Sequence, residues 1–285
     1  MSAPTDGRAR VRAALARLPD SEPLLLTDLF GEELDQYAEL IAGPGGAPLG
    51  FMTHGDGPRF TERVRSALAM LGMPEAARAH HAALAHAFEH TNGFFKAEWG
   101  AGSPLAAIYF RRRPELADAL AGLAAWGVRD TARLARMAEL LDKDTVHFLA
   151  AAFRPGQPVH HKLYFSQWAP PEARGDVAAR IARVFELFGV APDAWRAHHD
   201  AMVADGDPTL FVSTSVTAAG PSPSFKIDYP DVSFARAAAW CTASLADARL
   251  AAELAGTEAL SYVGVRFAPG AAPALKCYAD VPGGA

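Results

Sequence analysis

The sequence predicts an α/β fold: a closed antiparallel barrel of ten strands, built from five α-β-β-α repeats and ringed by helices. Three observations predict it. A β-hairpin pattern recurs five times, with second strands Ala47-Pro-Leu-Gly-Phe-Met-Thr53, Leu105-Ala-Ala-Ile-Tyr-Phe110, Val159-His-His-Lys-Leu-Tyr-Phe165, Ser224-Phe-Lys-Ile-Asp-Tyr229 and Ala274-Leu-Lys-Cys-Tyr-Ala279. These strands end at 53, 110, 165, 229 and 279, a spacing of 50–64 residues, and helical segments separate the hairpins. Their side chains alternate between an apolar face and one rich in lysine, arginine and tyrosine. Repetition at a near-fixed period marks one supersecondary unit used several times. Five copies of a hairpin-plus-helices unit can close their strands into one barrel.

Residues 1–20 are expected to form an N-terminal tail, disordered over 1–8, and a short amphipathic helix over 8–18 ended by Pro19-Asp20. Residues 21–285 are expected to form a single barrel domain, with no linker or low-complexity segment dividing it. The first hairpin is read as 36–42 and 47–54, turning through Gly43-Pro-Gly-Gly46, followed by helices 60–71 and 75–88 broken by Gly72-Met-Pro74. The second is 93–99 with 105–111, joined by Gly100-Ala-Gly-Ser-Pro104, and helices 115–126 and 131–141 follow, with Pro114 at a helix start. The third is 145–153 with 160–166, where Pro155-Gly156 mark the turn. Helices at 171–188 and 193–203 precede the fourth hairpin, 209–217 with 224–229. Helices at 233–244 and 246–255 lead to the fifth, 261–267 with 275–281.

Composition narrows the function. Half of the 285 residues are apolar, enough for a large core. The 32 acidic and 27 basic residues leave a net charge of −5, which argues against a nucleic-acid partner. Cys241 and Cys277 lie far apart and form no disulfide framework, which fits a reducing compartment. No apolar run approaches the ~18 residues of a membrane span. The N-terminus is rich in arginine (Arg8, Arg10, Arg12, Arg17) without a signal-peptide core, so a cytoplasmic location is expected.

The apolar strand face should pack on the helices, which turns the other face inward. Phe225, Ile227 and Tyr229 go outward, leaving Ser224, Lys226 and Asp228 inside. Leu163 and Phe165 go outward, with His160, Lys162, Tyr164 and Ser166 inside. On the fifth hairpin Tyr262, Gly264, Arg266, Lys276, Tyr278 and Asp280 point in; on the second, Phe94, Lys96, Glu98, Tyr109 and Arg111 do. In an open sheet such a face would simply be solvated. In a closed barrel its cations are buried and need an anion. Lysine and arginine supply charge for a polyphosphate and tyrosine supplies further donors. Tyrosine faces also stabilise a carbocation.

These residues, above all His161-Lys-Leu-Tyr-Phe-Ser166, Ser224-Phe-Lys-Ile-Asp-Tyr229, Tyr262-Val-Gly-Val-Arg266 and Lys276-Cys-Tyr278, resemble the aromatic prenyltransferases of ABBA, or PT-barrel, architecture over about residues 22–281. Chain length and the lead-in Leu26-Thr-Asp-Leu-Phe30 look more similar to the bacterial branch and the cyanobactin-type peptide prenyltransferases than to the fungal indole enzymes. The resemblance implies transfer of a dimethylallyl or longer prenyl group from its diphosphate to an aromatic acceptor or to an amino-acid side chain in a peptide. It implies a diphosphate site made of Lys96, Arg111, Lys162, Lys226, Arg266 and Lys276, and a tyrosine shield of Tyr109, Tyr164, Tyr262 and Tyr278. Glu39 is the matching catalytic base if Tyr37, Glu39 and Ile41 face inward, with Glu98 the alternative. No tightly bound cofactor or metal site is implied, with Mg2+ as a companion of the diphosphate. Some relatives carry an arginine on the second strand of the first hairpin; here the stretch is Gly50-Phe-Met-Thr53, and Arg111 or Lys96 would have to compensate.

Other constellations compete. His86-Ala-Phe-Glu-His90 matches H-x-x-E-H, and on a helix its two histidines would share a face able to hold zinc. Leu84 and Phe88 define the buried side of that helix, which turns His86 and His90 toward solvent. A zinc hydrolase using His86, Glu89 and His90 is the lesser alternative, beside an inactive barrel that binds an anionic small molecule. His198-His199-Asp200 is expected on a helix surface, Cys241 on an apolar helix and Cys277 toward the outer layer. Arg111-Arg-Arg113 reads equally as a solvated cap or a rim anion site. No P-loop or dinucleotide fingerprint is present.

Overall fold

The computed structural model describes residues 7–43, 48–90, 93–100, 103–192, 195, 199, 209–233, 235–237 and 259–281. Its ten strands are β1 Ala38–Ala42, β2 Pro48–Gly55, β3 Gly93–Glu98, β4 Leu105–Phe110, β5 Phe148–Phe153, β6 His160–Trp168, β7 Thr209–Thr217, β8 Gly220–Ser233, β9 Ala259–Phe267 and β10 Ala274–Val281. Each strand pairs antiparallel with its neighbour in sequence, and β1 closes on β10 through the register Glu39↔Asp280 and Ile41↔Tyr278. Closure removes every sheet edge.

Eight α-helices are described: α1 Gly7–Leu15, α2 Glu22–Leu29, α3 Gly31–Gln36, α4 Gly57–Met70, α5 Glu75–Ala87, α6 Leu116–Ala125, α7 Ala132–Leu140 and α8 Arg174–Leu187. The expected helices at 233–244 and 246–255 lie outside the described residues except for a helical stretch at 235–237; of 193–203 only Trp195 and His199 are described. Gly7, read as disordered, already belongs to α1, which ends at Leu15 rather than Leu18. That helix buries Val11, Ala14 and Leu15 against α2, α3 and the β1–β2 and β10 strands. Arg8 and Arg12 both reach Asp28 on α2, at 2.8 and 2.6 Å.

The pleat separates two apolar layers. Outward residues such as Phe51, Phe95, Phe165, Phe225, Val265 and Cys277 join the helices in one large core. Phe30 stacks on Phe95 at 4.5 Å, and Phe185 meets Phe225 and Phe267 edge-on at 4.7 Å. Each fully buried ring of this kind contributes about 1.5–3 kcal/mol. A second, smaller layer inside the barrel contains Ile41, Met52, Tyr109, Tyr164, Phe211 and Tyr278. The outward assignments read from the sequence for hairpins two to five hold, and on the first hairpin Ile41 joins the inner layer.

The structure extends the reading in three places. Residues 22–29 and 31–36, of which only Leu26-Thr-Asp-Leu-Phe30 was singled out as a lead-in, form α2 and α3. β8 is longer than expected, running to Ser233, which pairs with Ala259. Its three prolines, Pro221, Pro223 and Pro230, argue against a strand by pattern alone; a register shift between Thr214 and Val216 accommodates Pro221 and Pro223 at the hairpin end, opposite the Ser233 end. The third hairpin begins at Phe148, and Thr145 instead bridges Glu115.

Candidate active site

Alternation along the ten strands brings the polar face into one lumen with two chambers. The chamber nearer the helix connections is aromatic, walled by Tyr37, Met52, Phe94, Tyr109, Phe148, Tyr164, Phe211, Tyr262 and Tyr278, with Arg111 at its rim. The space nearer the hairpin turns is cationic, lined by Lys96, Arg154, Lys162, Lys226, Arg266 and Lys276 with Glu98. Lys226 and Tyr278 line both.

In the cationic chamber Glu98 holds two ammonium groups, Lys96 at 2.7 Å and Lys276 at 2.7 and 2.8 Å. Burial pushes the Glu98 carboxyl up, but Lys276 and Lys96 outweigh it and hold it well below the usual carboxylate range. Burial draws the Lys276 ammonium down, with Glu98 opposing, to about 8. Lys226 pairs with Asp228 and donates to the Tyr278 hydroxyl at 3.3 Å, its ammonium 5.0 Å over that ring. Lys96 stands 5.7 Å over Tyr109. Lys162 has no carboxylate within salt-bridge distance among the described residues. Burial, then Lys96, Lys226 and Lys276, hold it well below its ordinary range. Six cations therefore face two carboxylates, Glu98 and Asp228, an excess that is costly when buried and that an anion relieves.

Two glycines shape this chamber. A Cβ on Gly264 would fall 2.1 Å from Lys226 Cε and 2.5 Å from Asp228 Oδ1, so its absence lets that pair cross toward Tyr278. A Cβ on Gly50, opposite Glu98 in register, would fall 1.9 Å from the Ala97 carbonyl oxygen. Position 50 therefore admits no arginine, while Met52, the next inward position of β2, lines the aromatic chamber. Of the two compensating cations, Lys96 sits in the cationic chamber. Arg111 does not: Ala107 is level with Lys96, and Arg111 lies two inward positions further along the chain, past the end of β4, where it stacks 4.4 Å over Phe94.

The carboxylate that lines the aromatic chamber is Asp228, held by Lys226, and a second carboxyl, Glu39, lies behind its wall. Glu39 is 0% exposed and accepts a hydrogen bond from the Tyr37 hydroxyl. Burial pushes its carboxyl up to about 8; Tyr37 opposes the shift and Asp280 adds to it. The two candidate bases thus differ in kind. Glu98 is a neutralised counter-charge, while Glu39 sits where a proton acceptor active near neutral pH needs to be tuned.

Phe148, Phe211 and Arg154 were not read as site residues. Phe148 begins β5 and Phe211 lies near the start of β7, in stretches whose two faces are both apolar or small, Phe148-Leu-Ala-Ala-Ala-Phe153 and Leu210-Phe-Val212, so no alternation marked an inner face. Arg154 follows β5, just before the turn, and donates to the Ser103 carbonyl at 2.8 Å. His147, read only as part of a longer strand, packs on Phe148 and Phe211 with its imidazole pushed down to about 4 by burial and then by Arg113 and Arg111.

The zinc-like motif does not assemble as expected. α5 ends at Ala87, and Glu89 and His90 are left-handed at φ 54° and 51°, so His86 and His90 share no helix face. His86 is exposed, while His90 Nδ1 contacts Thr61 Oγ1 at 2.9 Å. Among the described residues no group of three or more His, Cys, Asp or Glu is placed to hold a metal. His199, expected at the surface, is buried against Trp195 with Nδ1 3.4 Å from the Tyr229 hydroxyl. Cys241 lies outside the described residues. The arginine run divides: Arg111 lines the lumen and Arg112 pairs with Glu89 at 3.3 Å on the outside. No described helix is long and apolar enough to cross a membrane.

A closed antiparallel ten-stranded barrel whose hairpins alternate with helices, with its polar groups inside, is the ABBA, or PT-barrel, fold. The chain is similar in structure to 5-dimethylallyltryptophan synthase from Streptomyces coelicolor, at 15% identity over 98% of this chain and 96% of that one, with a TM-score of 0.64. It is similar to a 6-dimethylallyl tryptophan synthase at 15% identity over 96% of each chain, TM-score 0.66. It is also similar to the prenyltransferase PriB, solved with L-tryptophan and dimethylallyl thiolodiphosphate, at 16% identity over 96% and 94%, TM-score 0.61. No family model matches the sequence, and no curated protein matches it.

Proposed function

We propose that this chain transfers a prenyl group, dimethylallyl or longer, from its diphosphate to an electron-rich aromatic ring. One observation carries the reading: a lumen in which an excess of cations and a ring of tyrosines meet at a shared boundary, Lys226 and Tyr278. The diphosphate would occupy the cationic chamber, contacting Lys162, Lys226 and Lys276, with Lys96 and Arg266 beside them. The prenyl C–O bond breaks, its electron pair leaving with the diphosphate, whose growing charge the lysines stabilise. The allyl cation then lies against Tyr109, Tyr164, Tyr262 and Tyr278, whose faces attract it and exclude water. The acceptor ring, among Phe94, Phe148 and Phe211, forms the new bond to the allyl carbon, and its displaced proton goes to Glu39. The PriB complex with an aromatic amino acid and a prenyl donor analogue supports this pairing of substrates. An indole or phenol meets the chemistry equally as a free molecule or as a peptide side chain.

The test is turnover. The protein is incubated with dimethylallyl diphosphate and with tryptophan, simple phenols or a tryptophan-containing peptide, with Mg2+ and with EDTA, and diphosphate release and product mass are measured. A prenylated product is expected, and the acceptor series assigns the free or peptide form. Tight donor binding with no product from any acceptor would favour the inactive barrel. No donor binding would refute both.

A further inference from the structure

Of the two carboxyls at the aromatic chamber, Asp228 lines it but is ion-paired with Lys226, and Glu39 has no surface open to the substrate. Glu39 is fully buried and does not line the aromatic chamber; Tyr37, two positions earlier on the same strand face, does. The Tyr37 hydroxyl donates to Glu39 Oε1, so the phenol stands between the chamber and the carboxylate. The ring is braced there. Phe94 packs on it at 5.9 Å and His54 at 6.3 Å, and Thr53 Oγ1 donates to the Tyr37 carbonyl at 2.8 Å. On its remaining sides Glu39 faces Met52 on β2, which has no proton-carrying group, the Tyr262 phenol, which makes no hydrogen bond to it, and Asp280 on β10 and Ser261 on β9. Asp280 and Ser261 do not line the aromatic chamber, so neither offers another path from the ring.

We propose that Tyr37 is the group that meets the acceptor, and that Glu39 receives the proton only through it. This rests on the prenyl-transfer reading and deepens it. After the prenyl carbon has bonded to the ring, the ring C–H bond (or the N–H or O–H bond of a heteroatom acceptor) breaks and its electrons stay with the acceptor. The proton bonds to the Tyr37 oxygen as the phenol's own proton moves to Glu39 Oε1. Tyr37 ends unchanged, Glu39 ends neutral, and no oxidant or reductant is involved. A tyrosine at this position also sets what the acceptor must present: a hydrogen within reach of a phenol oxygen at the β1 wall.

The experiment is a double-mutant cycle on the full chain, using the acceptor on which wild type turns over. Tyr37→Phe keeps the ring packing and removes the relay oxygen; Glu39→Gln keeps the shape and removes the proton sink. Each single variant is expected to lose about a hundredfold or more in kcat, the range for a lost general base. The acceptor KM and the affinity for dimethylallyl thiolodiphosphate should change by less than about threefold. The Tyr37→Phe/Glu39→Gln double variant should lose no more than either single, because the two act as one unit. The rise of wild-type kcat with pH should flatten in Tyr37→Phe, a change that a packing role alone would not produce. Losses that multiply in the double variant, or a Tyr37→Phe enzyme with wild-type kcat and pH profile, would overturn the relay. If the wild type prenylates no aromatic acceptor, the functional reading itself falls, and that outcome is seen before any variant is made.

Discussion

Replacing Glu98 by glutamine tests the charge balance of the lumen. The carboxylate holds Lys96, whose side chain is 3% exposed, and Lys276 at distances near 2.7 Å. Glutamine keeps the volume and leaves both ammonium groups without their counter-charge. Removing one member of a buried ion pair costs about 3–5 kcal/mol. At ~2–4 °C per kcal/mol for a chain of this size, the melting temperature should fall by about 6–20 °C. A diphosphate restores the missing charge. At a concentration a hundred times its Kd it returns about 2.7 kcal/mol, so much of the loss should be recovered on adding inorganic diphosphate. The freed lysines no longer exchange a carboxylate for the ligand. If one charged hydrogen bond of ~1.5–3 kcal/mol is released, the variant binds diphosphate about ten- to a hundredfold more tightly than wild type. Burial already brings Lys276 to about 8, and without Glu98 it falls further, so the gain should be largest below pH 7 and fade as pH rises. Calorimetric titration and melting curves across pH 6–8 measure each effect. A variant that melts with wild type and binds diphosphate no more tightly would show that Glu98 is not the counter-charge of this chamber.

Lys162→Ala removes a cation held among like charges; binding of a donor analogue should weaken about ten- to a hundredfold, the worth of one charged contact, while thermal stability holds or rises. In Gly264→Ala the new methyl meets Lys226 Cε, and overpacking of ~1–3 kcal/mol should appear as a lower melting point together with weaker diphosphate binding; unchanged binding would mean that Lys226 does not need its present path. Glu39 has a folded-state pKa raised from 4.5 to about 8, so its contribution is complete below pH 4.5 and is lost as pH rises through 8. The loss is on the order of 4 kcal/mol, and the melting temperature of Glu39→Gln relative to wild type should therefore climb from pH 5 to pH 9, a flat difference being the contrary result.

Much of the barrel was legible because period-two alternation is strong wherever one face carries charge. Lys162-x-Tyr164, Lys226-x-Asp228 and Lys276-x-Tyr278 each show which side is inside without reference to any other strand. The same signal fails where both faces are small or apolar, which hid Phe148 and Phe211. It also says nothing of depth along the lumen. Arg111 shares a face with Tyr109 yet ends at the aromatic rim, because two residues of strand move a side chain about 7 Å along the barrel. The relation of Tyr37 to Glu39 depends on one hydroxyl's direction, a detail that spacing does not carry. α2 and α3 were missed because Pro23 and Gly31 punctuate two short helices whose stability comes from packing on α1 and the barrel rather than from their own periodicity. The H-x-x-E-H motif misled for the opposite reason: its spacing assumed a helix that stops at Ala87.

The two-layered pleat restricts which changes this chain can tolerate. Within each strand, away from the register shifts at Ile41/Ala42 and Thr214/Val216, alternate positions are committed to opposite sides, around a ring with no free edge. Substitution in the lumen can retune donor and acceptor while the layer beneath the helices keeps the barrel closed. Loss or gain of a single residue within a strand is a different event. It would turn Phe95 or Phe225 into the lumen and drive Lys96 or Lys226 against the helices, reversing both layers at once. Length variation is therefore confined to hairpin turns, helix connections and the two register shifts near the turns, and a lineage carrying this fold is free to diverge in residue identity while the strand centres keep their count.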